Sequence, residues 1–109
     1  SSPYKGAIYE TFVFDEILKA NTSSKRRANI YYYRTSDQKE IDFILEISGR
    51  VVAIEVKSSK TISKDDFKHI YYLKENLQHK FDKGVVLYVG DTAVKLDEDM
   101  FALPFGFME

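Results

Sequence analysis

Two β-rich runs, Ile41-Asp42-Phe43-Ile44-Leu45-Glu46-Ile47 and Val51-Val52-Ala53-Ile54-Glu55-Val56-Lys57, are separated by only Ser48-Gly49-Arg50. Strand-forming runs this close together predict an antiparallel hairpin. The length of its loop then decides which side chains share a face. With a two-residue loop at Ser48-Gly49, Ile47 pairs with Arg50, Asp42 falls opposite Glu55, and Lys57 lies two residues on, on the same face. With a three-residue loop Asp42 pairs with Val56 instead, and a slip of one residue sends a strand's side chains to the other face.

The rest of the chain supplies material to cover that hairpin. Its 109 residues are 44% apolar and 15% aromatic, enough for one small domain with a core that needs no disulfide. Residues 6–20 have helical spacing, with Val13, Phe14 and Ile17 on a stripe that also carries Glu10. Residues 21–29 read as a basic loop, Ile30-Tyr31-Tyr32-Tyr33-Arg34 as a first strand, and residues 35–39 as a turn. Ser63-Lys64-Asp65-Asp66 has the form of a capping box, and Phe67, Ile70, Tyr71, Leu73 and Leu77 follow at helical spacing.

Gly84 opens an apolar strand, Val85-Val86-Leu87-Tyr88-Val89, of the kind covered on both faces. Residues 92–96 read as an edge strand. The apolar end, residues 101–108, is expected to pack back on the sheet or to form a contact surface. The order is helix, three strands, helix, then one or two strands. This predicts an α+β domain with a mixed sheet, because a helical crossover after Lys57 is the normal route to a parallel strand.

No cysteine is present and only two histidines, His69 and His79, so thiolate zinc sites are excluded and any metal site would be mostly oxygen. That donor chemistry suits magnesium or manganese. A net charge of −1 gives no global basic field for nucleic acid. No apolar run reaches the roughly 18 residues of a membrane span, and no signal-peptide pattern opens the chain, so the expectation is a soluble, cytoplasmic protein with no membrane partner.

The candidate chemistry lies on the polar face of the hairpin. Glu55 and Lys57 alternate with apolar Ile54 and Val56, so one strand face is buried and the other carries charge. Directly paired carboxylates repel unless something neutralises them, and a divalent cation at Asp42 and Glu55 would do so. Lys57 could then orient a metal-bound water or stabilise phosphate charge. A structural alternative is an ion-pair ladder in which Lys57 meets Glu40. The bare string is weak, since a chain this size holds about 0.3 chance matches. Asp37-Gln38-Lys39 and Asp66-Phe67-Lys68 are read as decoys, in a turn and a helix. Arg34, Lys60 and Lys64 are candidate nucleic-acid contacts, with Arg34 also able to pair with Glu46.

Taken together, Glu10 in a first helix, Asp42 in the second strand, Glu55-Val56-Lys57 in the third and a helix afterwards resemble the PD-(D/E)xK nuclease superfamily, with its restriction-endonuclease-like fold. More narrowly, Lys5-Gly6-Ala7-Ile8-Tyr9-Glu10-Thr11-Phe12-Val13, Tyr32-Tyr33-Arg34 with Glu40-Ile41-Asp42-Phe43, Ile54-Glu55-Val56-Lys57-Ser58-Ser59 and Gly84-Val85-Val86-Leu87-Tyr88-Val89-Gly90-Asp91 leading to Ala102-Leu103-Pro104 are similar to a domain of unknown function. That domain follows the ATPase domain of many bacterial and archaeal AAA-type ATPases. The resemblance implies Asp42 and Glu55 as metal ligands, Lys57 as catalytic lysine and Glu10 as an auxiliary acid. One departure is that Ile41, not proline, precedes Asp42.

The same resemblance implies that residues 1–109 form a single nuclease-like domain at the C-terminal end of a longer protein. No Gly-x-x-x-x-Gly-Lys-Ser/Thr loop occurs, so ATP would bind only through an N-terminal ATPase domain outside this chain. Two functions follow as expectations. One is magnesium- or manganese-dependent hydrolysis of DNA or RNA; the other is an inactive nuclease fold used for DNA binding, protein docking or homo-oligomerisation.

Overall fold

A computed structural model describes residues 29–34 and 40–108, with the side chains of residues 32–34, 107 and 108 outside that description. The expected first helix, with Glu10, and the loop and turn at residues 21–28 and 35–39 also lie outside the described residues. Within them the fold is α+β: six strands form one mixed sheet, with a single α-helix packed on it. Among the described residues no helix is long and apolar enough to cross a membrane.

The predicted hairpin is formed by β2 (Glu40–Ile47) and β3 (Arg50–Lys57), and β1 (Asn29–Arg34) adds antiparallel to β2. The loop is the two-residue one. Ser48 and Gly49 both take left-handed backbone, φ 53° and 78°, as a type I′ turn requires, and Ile47 pairs with Arg50. Regular register runs from there to Phe43 opposite Ile54.

After β3 the chain passes through a 3₁₀ turn (Lys64–Phe67) into helix α1 (Lys68–Leu77). The helix returns the chain to β4 (Phe81–Tyr88), which lies parallel to β3. Helix α1 covers one face of the sheet because Phe67, Ile70 and Leu73 recur at helical spacing and bury against Val51, Ala53, Val86, Met100 and Ala102. Each such burial is worth about 1.5–3 kcal/mol. The helix sits close: a Cβ on Gly84 would collide with the side chains of Ile70 and Met100. Tyr71 and Lys74 fasten its outer side, through Tyr71 Oη to Asp97 (2.9 Å) and Lys74 Nζ to Asp99 (2.8 Å).

The chain's end departs from the sequence reading. Residues 100–104 form a strand, β6 (Met100–Pro104), inserted parallel beside β4, while β5 (Val94–Asp97) pairs only with β6, giving the order β1-β2-β3-β4-β6-β5. The apolar run therefore enters the sheet as a strand of its own, where the expectation had it packing back on the sheet or forming a contact surface. Phe105 joins Phe43, Ile54 and Leu87 in a second apolar cluster on the sheet's opposite face.

Candidate functional site

Alternation along β3 points Val51 and Ala53 at helix α1, and Glu55 and Lys57 follow on that same side. At this end the strand runs beyond the helix's apolar face. Lys57 pairs with Tyr88 at the carboxyl ends of the parallel strands β3 and β4, and Val89 N–H donates to Ser59 O (2.9 Å) just past them. Crevices outside the carboxyl ends of parallel strands are common ligand sites.

Strand β2 changes its geometry here. Tyr31 pairs with Ile44 and Tyr33 with Ile41, so two steps along β1 face three along β2. This bulge lets Ile41 and Ile44, an odd number of residues apart, both join the helix-covered cluster, while Phe43 goes to the opposite one. Asp42 stands at the break. Its N–H donates to Glu55 Oε1 (2.9 Å), and its own Oδ2 accepts the N–H of Val56 (2.7 Å). Carboxylates thus take up backbone groups at the step beyond the last regular pair, which ties Asp42 and Glu55 together.

The electrostatic consequence falls on Glu55. Burial first, then the neighbouring Asp42 charge, push its carboxyl from an ordinary 4.5 up to about 8; the Asp42 N–H opposes the rise without cancelling it.

Lys57 does not rely on a cross-strand ladder partner. Its Nζ lies 2.6 Å from Asp66 Oδ2, with both side chains largely out of solvent (29% and 19% exposed). The same Oδ2 accepts the N–H of Ser63 (2.7 Å), the reciprocal bond of the expected capping box. Burial would raise the Asp66 carboxyl, but the bonds from Lys57 and Ser63 outweigh it and hold it below its ordinary value. The string Asp66-Phe67-Lys68 lies in the 3₁₀ turn and the start of the helix, as its reading as a decoy expected, but Asp66 on its own reaches Lys57 at the end of β3. The signal that could have found it was the capping box, which turns the carboxylate back toward the end of β3.

These groups border a groove of about 210 Å³ lined by Glu55, Lys57, Asp65, Asp66, Lys68 and His69, among others. Asp42 is joined to two of the lining residues, Glu55 and Val56, by its hydrogen bonds. His69, which the sequence reading did not assign, joins α1 to the start of β2: its Nδ1 lies 3.0 Å from the Glu40 carbonyl oxygen, and since a carbonyl only accepts, Nδ1 carries the proton. Lys60 and Lys64 are exposed and lie outside the groove's lining, and Glu10 and the Arg34 side chain lie outside the described residues. The backbone of Arg34 pairs with Glu40, and the carboxylate of Glu46 accepts from Asn29 (3.3 Å).

The donor set agrees in character with magnesium or manganese. Two hard carboxylates stand together, and burial with the neighbouring charge raises the carboxyl of one of them, a cost that a divalent cation would relieve. Among the described residues no three acidic or histidine side chains converge as a cage. Magnesium is commonly held by one or two carboxylates, with waters and substrate phosphates completing the shell.

A family model, Domain of unknown function (DUF4143), matches residues 5–108. The chain belongs to the DUF4143 family. No curated protein matches it. The DUF4143 match thus spans β1 to β6 and every residue of the constellation, including Asp42, Glu55, Lys57 and Asp66.

Proposed function

We propose that this DUF4143 chain is a metal-dependent nuclease-like domain that hydrolyses phosphodiester bonds in DNA, or in RNA. The observation that carries the reading is the interlocked pair Asp42 and Glu55, with Lys57 two residues along the same strand face. The order of three antiparallel strands, crossover helix and parallel strand supports a PD-(D/E)xK, restriction-endonuclease-like core. Asp42 and Glu55 would hold magnesium or manganese, which when bound would supply Lewis-acid chemistry for the hydrolysis. Asp42 and Glu55 fix each other through backbone N–H groups, and Lys57 presents a positive charge toward the developing phosphate charge. Glu10 enters as an auxiliary acid by resemblance. The attached AAA-type ATPase domain, ATP binding through it, homo-oligomerisation and a cytoplasmic location belong to the same proposal.

A plasmid-nicking assay with magnesium or manganese tests it. Nicking by the parent that disappears in Asp42→Ala supports the reading, and equal nicking by both sinks it.

A second reading, a nuclease fold that binds without cutting, draws on one observation: the Lys57 ammonium is already committed to Asp66 at 2.6 Å. It expects Asp42→Ala to leave DNA binding intact.

A further inference from the structure

We infer that Asp66 is the positioning residue for Lys57, holding the lysine ammonium, from the start of the crossover helix, at the groove that Glu55 also lines. The inference rests on the reading of Lys57 as a functional group. Lysine carries its charge on a flexible four-carbon stem, so a lysine that must meet one phosphate oxygen needs an anchor. Asp66 meets the requirements of one. Its Oδ2 takes Lys57 Nζ at 2.6 Å and is itself held by Ser63 N–H at 2.7 Å and Ser63 Oγ at 3.3 Å.

The backbone behind the carboxylate is equally fixed. Asp66 N–H donates to Ser63 O (3.1 Å), and the next residue, Phe67, is fully buried in the core under α1. Lys57 is fixed from the other side by its pairing with Tyr88. The anchor and the lysine are thus set by two different elements, helix start and strand end, and both face the groove that holds Glu55. An ion pair serving only the helix cap would not need Lys57, because Ser63 already supplies the reciprocal bond.

The test uses Asp66→Asn, which removes the charge but keeps an oxygen for the Ser63 N–H, with Asp66→Glu as the conservative rescue. The first readout is the ¹⁵N side-chain ammonium resonance of Lys57, assigned by its loss in Lys57→Gln. It is expected to be resolved in the parent, to exchange away in Asp66→Asn, and to return in part in Asp66→Glu, with circular dichroism unchanged throughout. The second is plasmid nicking: kcat is expected to fall about 10–100-fold in Asp66→Asn with KM for DNA within about twofold, as for a displaced group. A Lys57 resonance indifferent to Asp66→Asn overturns the inference, as does an unchanged kcat once that resonance is lost. If the parent cuts no nucleic acid, the nuclease reading fails separately and the resonance alone decides the role of Asp66. If Asp66→Asn does not fold, retention of both signals in Asp66→Glu supports it and their loss overturns it.

Discussion

Asp42 and Glu55 are joined by a bond from the backbone of one to the carboxylate of the other, while the Asp42 carboxylate in turn takes the N–H of Val56. Each side chain therefore stands where a strand would otherwise place a carbonyl. Asp42→Ala leaves the Val56 N–H without that acceptor in a part-buried setting. The expected loss is about 1–3 kcal/mol in urea unfolding, with Asp42→Asn, which keeps an oxygen, losing less.

The raised Glu55 carboxyl makes stability depend on pH. Between the ordinary value of 4.5 and about 8, the folded protein keeps a proton that the unfolded chain releases, so stability is fully present below 4.5 and declines as pH rises through about 8. Urea unfolding without divalent metal is expected to show that decline. Glu55→Gln is expected to flatten it and to be the more stable protein above pH 8. A parallel decline in parent and variant would assign it to another group.

Close packing of α1 on β4 depends on Gly84, where an added methyl would meet Ile70 and Met100. Gly84→Ala is expected to cost about 1–3 kcal/mol, read as a lowered thermal midpoint. Because α1 and the turn leading into it carry His69 and Asp66 to the groove, the same substitution is expected to broaden the Lys57 ammonium signal.

The hairpin turn sets the register on which the site depends. Gly49 has φ 78° and open space where an added methyl would stand, so Gly49→Ala is expected to cost about 1–2 kcal/mol from backbone conformation alone. Ser48→Asn, which suits the left-handed first position of this turn, is expected to raise the unfolding midpoint.

The hairpin was legible from its two adjacent β-rich runs, with its register left between a two-residue and a three-residue loop until the structure showed the former, and α1 because Phe67, Ile70 and Leu73 repeat at its period. Strand β6 was harder to see: a short apolar run ending in Pro104 looks the same whether it docks on a sheet or enters it, and only the neighbouring β4 decides. The bulge beside Asp42 is a register shift in the pairing of β1 with β2, which no local sequence pattern encodes. Asp66 escapes a sequence reading because an Asp-x-Lys string in a helix has the wrong spacing for a strand site. Its contact with Lys57 follows from the tertiary placement of the 3₁₀ turn against the end of β3.

Whether Asp42 and Glu55 together hold a divalent cation is tested most directly by magnesium titration, followed by backbone amide NMR above pH 8, where Glu55 is ionised. The expected result is saturable shifts centred on the amides of Asp42, Glu55 and Val56, weakening as pH falls below 8 and absent in Asp42→Ala. Shifts that are absent from the parent, or equal in parent and variant, would contradict the account.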